Sequence, residues 1–226
     1  MNEKRTNVAG VVFDFDNTIC LRADGTGSDE IKDAVWPEVF GEILWKDIGP
    51  VFVSIVKRFS GGKGSRYDIV RSALGYSGVT QREMEDEVTR HCARFNTLVQ
   101  KGILAIGIPS ENRAYLQALS KRIPLFINSA TPTKAMGETL QKLGIATLFR
   151  MVYGQEVGKI SGLRKALIAV GATDPQKLLF VGDSISDYEA AHVVGTQFIG
   201  VATKHNGWKE YPQAFQTVSG VAEIVL

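Results

Sequence analysis

The chain has 226 residues, of which 44% are hydrophobic and 22% charged, a composition typical of a globular protein with a substantial core. Its formal net charge of +2 gives no electrostatic argument for binding nucleic acid or an anionic membrane. The two cysteines, Cys20 and Cys92, provide neither a disulfide framework nor a metal-binding spacing. We find no signal peptide and no apolar run long enough to span a bilayer, so we expect a cytoplasmic protein.

The N-terminal part of the chain predicts one strand followed by helices. Residues 8–13 are apolar at successive positions, as in a strand that is buried on both faces of a parallel sheet. Residues 28–36 predict a helix that ends at Pro37. Residues 38–59 predict further helix with a break at residues 49–50, a Gly-Pro pair.

The helical stretch continues well beyond this point. A glycine-rich loop at residues 61–64 precedes a short predicted helix at residues 65–74. A longer, polar helix is predicted at residues 79–99. The whole of residues 28–99 is therefore expected to be helical.

After Gly102, predicted helices and strands alternate. Strands are expected at residues 124–128, 151–153, 177–181 and 197–201, with an edge strand at residues 222–226. Helices are expected between them, and Thr131 and Ser161 are the predicted caps of two of these helices. Such alternation is typical of a parallel α/β sheet with right-handed crossovers. Because the first strand belongs to this sheet, the helical stretch is an insertion.

Polar residues follow four of the predicted strands, where ligands bind in open parallel sheets. In chain order they are Asp14 and Asp16, then Ser129, then Lys159, and finally Asp183 and Asp187. Ionised carboxylates that lie close together need a cation, and an all-oxygen site suits Mg²⁺. Lys159 and Ser129 offer hydrogen-bond donors to an anion.

This combination of charges suits phosphoryl transfer, which is catalysed mostly by positioning and charge neutralisation. No Ser-His or Cys-His pair is evident, so a carboxylate is the natural nucleophile and would form an aspartyl-phosphate. A second carboxylate could carry a proton to the leaving oxygen and from water. Each residue alone also has an ordinary explanation: a strand that ends in an Asp-Asn turn, a solvated Lys159, and Asp187 as a first-turn acid after Ser184. Their joint occurrence at four strand ends favours a site.

These residues resemble the four motifs of the haloacid dehalogenase-like superfamily, most members of which are phosphatases. The segment from Asp14 to Thr18 is similar to the first motif, Ser129 to the second, Lys159 to the third, and the segment from Asp183 to Asp187 to the fourth. The third motif is the weakest, because Lys159 lacks the proline that often follows. Lys165 is a less favoured candidate for the lysine of this motif.

The resemblance implies a role for each residue of the site. Asp14 would be the nucleophile and Asp16 the general acid and base, while Ser129, Lys159 and Asn17 would hold the phosphate. Mg²⁺ would be bound by Asp14, the backbone carbonyl of Asp16 and Asp183, and Asp187 and Thr18 would support the site. Dehalogenases and phosphonatases of the superfamily lack the second aspartate, so Asp16 indicates a phosphatase or a mutase.

The resemblance also implies the domain organisation. A Rossmann-like parallel sheet core would comprise residues 1–20 and 105–226, and residues 21–104 would form an all-helical cap like that of phosphoglycolate phosphatase-like members. Substrate recognition would lie in the cap, where Lys63 and Arg66 are candidates to contact an anionic or polyhydroxyl group. A solvated turn between two helices explains the loop that carries them equally well.

The leading hypothesis is thus a Mg²⁺-dependent phosphatase that acts on a small phosphorylated metabolite. A sugar phosphomutase of the same superfamily is the alternative within this chemistry, and a non-catalytic phosphate-binding regulatory protein is the alternative outside it. A receiver-like domain phosphorylated on Asp14 is disfavoured by the large insertion. The sequence leaves the identity of the substrate and the oligomeric state open.

Overall fold

The computed structural model describes residues 8–22, 24–59, 64–206, 208 and 214–226. The chain divides into two compact units, one formed by Met1–Asp29 together with Ile106–Leu226 and the other by Glu30–Ala105. In the described part of the chain, no helix combines the length and the apolar character that crossing a membrane requires.

The first unit is built on a parallel sheet. Its strands are β1 (Gly10–Phe13), β2 (Leu125–Asn128), β3 (Met151–Tyr153), β4 (Leu178–Gly182), β5 (Gln197–Val201) and β6 (Gln216–Val218). The order across the sheet is β3-β2-β1-β4-β5-β6, and each neighbouring pair runs parallel. The predicted α/β fold with a parallel sheet is confirmed.

Helices connect most of these strands along the chain. They are α1 (Ser28–Phe59), α2 (Arg66–Tyr76), α3 (Met84–Ile106), α4 (Ser110–Ser120), α5 (Thr133–Lys142), α6 (Lys159–Ala169) and α7 (Ile185–Val194). Helices α6 and α7 pack on the sheet through small and branched residues, among them Leu163, Ala166 and Ala190, which form one core with Val12 and Phe180. The three central strands β1, β2 and β4 are buried along their whole length because helices and neighbouring strands cover them.

The register of the sheet brings several strand ends to one edge. Phe13, the last residue of β1, is paired with Ile127 of β2 on one side and with Val181 of β4 on the other. The residues that follow β1, β2 and β4 therefore emerge next to one another at the carboxyl edge of the sheet. This is the edge at which parallel sheets bind ligands.

The second unit is helical and has its own core. Trp36, Phe40 and Phe52 of α1 pack with Phe95 of α3, and the ring centroids of Trp36 and Phe95 lie 4.4 Å apart. Buried aromatic rings contribute much of the energy of a core, so this cluster stabilises the helical unit. The predicted helical character of the stretch after the first strand is confirmed.

The predicted ends within α1 are wrong. The helix continues through Pro37 and Pro50, and its non-helical residue is Gly41, with φ 75° and ψ 164°. A proline inside a helix loses one hydrogen bond, but its fixed φ is compatible with the helix. Burial of the residues around Pro37, such as Trp36 and Phe40, outweighs that loss. The kink lies at a glycine because only glycine adopts a positive φ without strain.

Other boundaries also differ from the sequence-based expectation. Helix α3 begins at Met84, after a turn, and runs on to Ile106. Helix α6 begins at Lys159, so Ser161 lies in its first turn and is not its cap. Helix α5 begins one residue later than expected, at Thr133, so its cap is Pro132 and not Thr131. The N–H of Thr131 donates instead to Oγ of Ser129 (3.1 Å), in the turn that follows β2.

The predicted C-terminal strand is also wrong. The edge strand is β6, and the residues beyond it form a short 3₁₀ helix, Val221–Glu223. The N–H of Ser219 donates to the carboxylate of Glu223 (2.9 Å), which closes this turn. Apolar residues in a short terminal segment cannot distinguish a strand from a turn packed on the core.

Candidate active site

The carboxylate of Asp14 lies at the centre of the carboxyl edge of the sheet. Asp14 follows β1 directly and is only 4% exposed. Its backbone N–H donates to the carbonyl of Val181 (2.8 Å), which extends the hydrogen-bond ladder by one residue and fixes the Asp14 backbone. A buried carboxylate at the rigid end of a central strand has a well-defined direction, as a nucleophile requires.

Two further aspartates come from the segment after β4. One carboxylate oxygen of each of Asp14, Asp183 and Asp187 can be chosen so that all three lie within 4.8 Å of one another. Gly182, the last residue of β4, makes room for this cluster, because a Cβ there would lie 2.5 Å from Cγ of Asp187. A larger residue at position 182 would displace the Asp187 carboxylate.

Asp187 has two functions through its two oxygens. Its Oδ2 accepts the backbone N–H of Ser184 (3.0 Å), and its own N–H donates to Oγ of Ser184 (3.3 Å), which completes the capping box of α7. Its Oδ1 accepts a hydrogen bond from Nζ of Lys159. The capping role expected from the spacing and a contact with the site are therefore both present.

Lys159 supplies positive charge to this carboxylate cluster. As the first residue of α6, it places its Nζ 3.3 Å from Oδ1 of Asp14 and in contact with Asp187. The backbone carbonyl of Lys159 accepts a hydrogen bond from Nδ2 of Asn128 (2.8 Å), the last residue of β2. The lysine is thus held from its backbone as well as from its ammonium group.

Burial and like charges raise the pKa values of the aspartates. Burial raises the pKa of Asp14 well above its usual range, Asp187 and Asp183 add to this increase, and Lys159 opposes it. Burial followed by repulsion from Asp187 and Asp29 raises the pKa of Asp183 to about 7. For Lys159, burial by itself would lower the pKa, but attraction to Asp14 and Asp187 prevails and raises it.

In metal-free protein, the titration of Asp183 should make the free energy of unfolding fall as the pH rises from 3.8 to about 7. The folded state binds more protons than the unfolded state across this interval, so raising the pH favours unfolding through this group. We expect Asp183→Asn to abolish this contribution. Melting temperatures of both proteins in EDTA across the interval test this, and parallel curves would contradict it.

The carboxylate cluster fits a divalent cation. Oxygen ligands from several aspartates are typical of Mg²⁺ sites, and the mutual repulsion that raises the pKa values of Asp14 and Asp183 is the repulsion that a cation would relieve. Asp16 is partly buried and adds to the repulsion on both of these aspartates, so its charge also lies near the cluster.

Ser129 lies at the same edge of the sheet as Asp14. It follows β2, is only 2% exposed, and its N–H donates to the carbonyl of Tyr153 (2.9 Å). Its Oγ accepts the N–H of Thr131, which leaves the hydroxyl proton available to a ligand oxygen. The register of β1 and β2 places Ser129 one residue beyond the position opposite Asp14.

Asn17 contacts acids in this structure. It has a positive φ of 51°, and its Nδ2 donates to Oδ2 of Asp29 (2.6 Å) and, at 3.4 Å, to Oδ2 of Asp183. Its Oδ1 accepts from Oγ of Ser28 (3.2 Å) and from the N–H of Asp29 (3.3 Å). Asn17 therefore joins the loop after β1 to the start of α1, and its predicted contact with phosphate stays a prediction.

Of the remaining predicted residues, the structure describes Thr18 and Arg66 but not Lys63. Thr18 is fully buried, and its Oγ1 has no hydrogen-bond partner among the described residues. Lys63 lies outside the described residues. Arg66 is the first residue of α2, where its guanidinium lies 4.7 Å from the centre of the Phe95 ring and donates to Oδ1 of Asn96.

Comparison with known proteins assigns the family. Residues 8–195 match the family described as haloacid dehalogenase-like hydrolase. The chain belongs to this family. The resemblance inferred from the four motifs is confirmed, and the matched residues include all of the strand-end side chains described above.

The curated relatives of this haloacid dehalogenase-like hydrolase include phosphatases. The chain is 26% identical over 217 residues to phosphoglycolate phosphatases from Shigella boydii serotype 4 and from Escherichia coli strain K12, covering 90% of this chain and 84% of each relative. Among solved structures, a putative beta-phosphoglucomutase from Thermotoga maritima has a TM-score of 0.69 at 16% identity, covering 93% of this chain and 94% of the other. This second similarity shows the fold. With the family match, the phosphatase relatives confirm the prediction that the chain is an enzyme.

Asn128 and Asp29 belong to the surroundings of this candidate site but were not expected there. Asn128 is 31 positions from Lys159 in the sequence, and Asp29 acts on Asp183 from the start of α1. No motif or spacing joins either residue to its partner. The sequence signal available was the position of Asn128 at the end of a buried strand, where an amide needs a hydrogen-bond partner.

Proposed function

We propose that this enzyme is a Mg²⁺-dependent phosphatase that hydrolyses a small phosphomonoester through an aspartyl-phosphate on Asp14. The observation that carries the proposal is the position of Asp14. It is buried at the end of β1, with the ammonium of Lys159 3.3 Å from its Oδ1 and a carboxylate of Asp183 within 4.8 Å. The Asp14 carboxylate is thus adjacent both to the Lys159 ammonium and to the candidate cation site.

The proposed chemistry begins with attack of a carboxylate oxygen of Asp14 on phosphorus. The bond from phosphorus to the alcohol oxygen breaks, and Asp16 donates a proton to the departing alcohol. Asp16 then accepts a proton from the water that attacks the aspartyl-phosphate, which releases phosphate and restores Asp14. The ammonium of Lys159 opposes the rise in the pKa of Asp14 that burial causes, and so favours the ionised form that attacks phosphorus.

The phosphoryl group would be held by the groups around Asp14. Lys159 and the hydroxyl of Ser129 would donate to phosphoryl oxygens. When bound by Asp14, Asp183 and the backbone carbonyl of Asp16, Mg²⁺ supplies positive charge against the oxygens of the phosphoryl group. Asp187 supports this arrangement through its contact with Lys159.

Hydrolysis of para-nitrophenyl phosphate with and without Mg²⁺ tests the proposal. We expect activity to disappear after EDTA treatment and to return with added Mg²⁺, because the carboxylates alone repel the phosphoryl group. Asp183→Ala should raise the Mg²⁺ concentration for half-maximal activity at least about tenfold, since it removes a ligand. Full activity after exhaustive EDTA treatment, or an unchanged Mg²⁺ titration in the variant, would overturn this assignment.

A sugar phosphomutase would use the same nucleophile and the same cation. It is distinguished by its products: a mutase given a sugar phosphate and a bisphosphate activator forms the isomeric sugar phosphate, whereas a phosphatase releases inorganic phosphate. A non-catalytic phosphate-binding protein would give neither product. Because the curated relatives are phosphatases, a panel of phosphorylated metabolites that includes phosphoglycolate should reveal the substrate.

We further propose that the helical unit Glu30–Ala105 is the cap that recognises the part of the substrate away from the phosphate. This assignment extends the family resemblance, and the cytoplasmic location predicted from the sequence stays a prediction. Both cysteines, Cys20 and Cys92, are buried thiols.

Arg66→Ala tests the proposed recognition role of this unit. If the guanidinium binds an anionic group of the substrate, the variant should raise KM for the best natural substrate far more than for para-nitrophenyl phosphate. Loss of a desolvated charged contact typically costs about 2–5 kcal/mol, whereas loss of a solvated one costs almost nothing. Arg71→Ala, which removes an arginine of the same helix that pairs with Glu85, is the matched control. Equal effects on the two substrates would exclude Arg66 from the proposed recognition of the substrate.

A further inference from the structure

The turn that follows β5 is stabilised by hydrogen bonds from the side chains of Thr203 and Asn206. Oγ1 of Thr203 accepts the N–H groups of His205 (3.2 Å) and Asn206 (3.1 Å). Oδ1 of Asn206 accepts the N–H groups of Thr203 (3.2 Å) and Trp208 (3.3 Å). Thr203 and Asn206 together therefore define the path of the turn.

The amide nitrogen of Asn206 points out of this turn towards the end of β4. Its Nδ2 donates to the backbone carbonyl of Asp183 (3.0 Å) and to that of Val201 (2.8 Å). Gly182 and Gly200 are partners in the β4–β5 register, so Asp183 and Val201 are opposite one another where the pairing ends. The side-chain amide joins the two strands at that point.

The orientation of the amide is determined by its surroundings. Asparagine has two N–H donors and an oxygen with two lone pairs, and Asn206 uses all four. A flipped amide would place its oxygen against the carbonyls of Asp183 and Val201. It would also place its N–H groups against the N–H groups of Thr203 and Trp208, so four hydrogen bonds would become four repulsive contacts.

The turn is also anchored in the core by Trp208. The indole of Trp208 is buried and packs edge-on against Phe198 and Phe215, with ring centroids 6.0 and 5.2 Å away. Gly200 makes this packing possible, because a Cβ there would lie 2.4 Å from the Trp208 ring. The amide of Asn206 is therefore anchored at the end that faces away from Asp183.

We propose that Asn206 is a positioning residue that fixes the backbone of Asp183 and so directs its carboxylate towards the cation. This inference rests on the proposed function. The Asp183 carboxylate is repelled by Asp187, Asp29 and Asp16, and an outward shift of its backbone would relieve that repulsion. The hydrogen bond from Asn206 opposes this shift.

Two variants of Asn206 separate positioning from a merely structural role. Asn206→Ala removes all four hydrogen bonds. Asn206→Asp retains an acceptor for the N–H groups of Thr203 and Trp208 but loses both donors, and its negative charge would by itself attract a cation. Weaker Mg²⁺ binding in Asn206→Asp would thus run against the simple electrostatic expectation. Thr203→Val is the matched control, because it loosens the same turn and keeps the amide of residue 206.

The decisive measurement is Mg²⁺ binding by isothermal titration calorimetry of the whole protein without substrate, with melting temperatures in EDTA recorded for each variant. We expect both Asn206 variants to bind Mg²⁺ about tenfold or more weakly, the effect typical of losing a group that orients a metal ligand. Thr203→Val should lower the melting temperature but bind Mg²⁺ as the wild type does. If Asn206→Ala does not fold, Asn206→Asp provides the same comparison with the turn retained.

Two results would overturn the inference: unchanged Mg²⁺ binding in a folded Asn206 variant, or equal weakening in Thr203→Val. A failure of the proposed function would give a different experimental result. A wild-type protein that binds Mg²⁺ but hydrolyses no phosphomonoester would overturn the phosphatase assignment, while the comparison of Mg²⁺ affinities would still decide the role of Asn206.

Discussion

Asp14→Asn is expected to reduce phosphatase turnover by at least about a thousandfold while the protein remains folded. The amide cannot attack phosphorus, and no other carboxylate lies at the end of β1 in the ladder position that Asp14 occupies. The variant also loses a negative charge that burial disfavours and that Asp187 and Asp183 repel, while Lys159 keeps Asp187 as its partner. Its melting temperature in EDTA should therefore equal or exceed that of the wild type.

Turnover of para-nitrophenyl phosphate at saturating Mg²⁺ and thermal melting in EDTA are the two measurements. Asp47→Asn is a suitable control, because this aspartate is exposed on α1 and is not a member of the carboxylate cluster. Comparable kcat values for Asp14→Asn and the wild type would refute the nucleophile assignment. A large decrease in melting temperature would show instead that Asp14 mainly stabilises the fold.

Lys159→Met should both inactivate the enzyme and destabilise the metal-free protein. The ammonium contacts Asp14 and Asp187, so its removal leaves two buried carboxylates without their cationic partner. Breaking a buried ion pair from one side typically costs about 3–5 kcal/mol. Mg²⁺ should restore part of this stability, because a cation bound by Asp14 and Asp183 would neutralise the same charges, but it should not restore the phosphate contact.

Urea unfolding with and without Mg²⁺ measures the loss of stability, and turnover measures the loss of activity. Lys165→Met is the matched control, since Lys165 is exposed on the same helix, α6. Similar losses in the two variants would indicate that a lysine on this helix contributes through general electrostatics. Normal turnover in Lys159→Met would remove Lys159 from the proposed phosphate site.

The sequence by itself determined strands β1 to β5 of the sheet and the residues at its carboxyl edge, whereas the edge strand β6 was not predicted. Strands β1, β3 and β5 are short and consist mainly of apolar residues, a pattern that depends mainly on local composition. In a parallel sheet, residues that follow such strands share one edge whatever the details of packing. This is why Asp14 and Asp183 could be placed together from the sequence alone.

The tertiary structure alone decided the helix boundaries and the residues that support the site. Proline propensity predicted an end at Pro37, but burial of neighbouring aromatic side chains carries α1 through it to Gly41. Asn206 is 23 positions from Asp183, and Asn17 is 166 positions away. An amide can satisfy its hydrogen bonds with any backbone or carboxylate group that folding brings near it. Its partner is therefore fixed only when the strands have paired and the loops between them have packed.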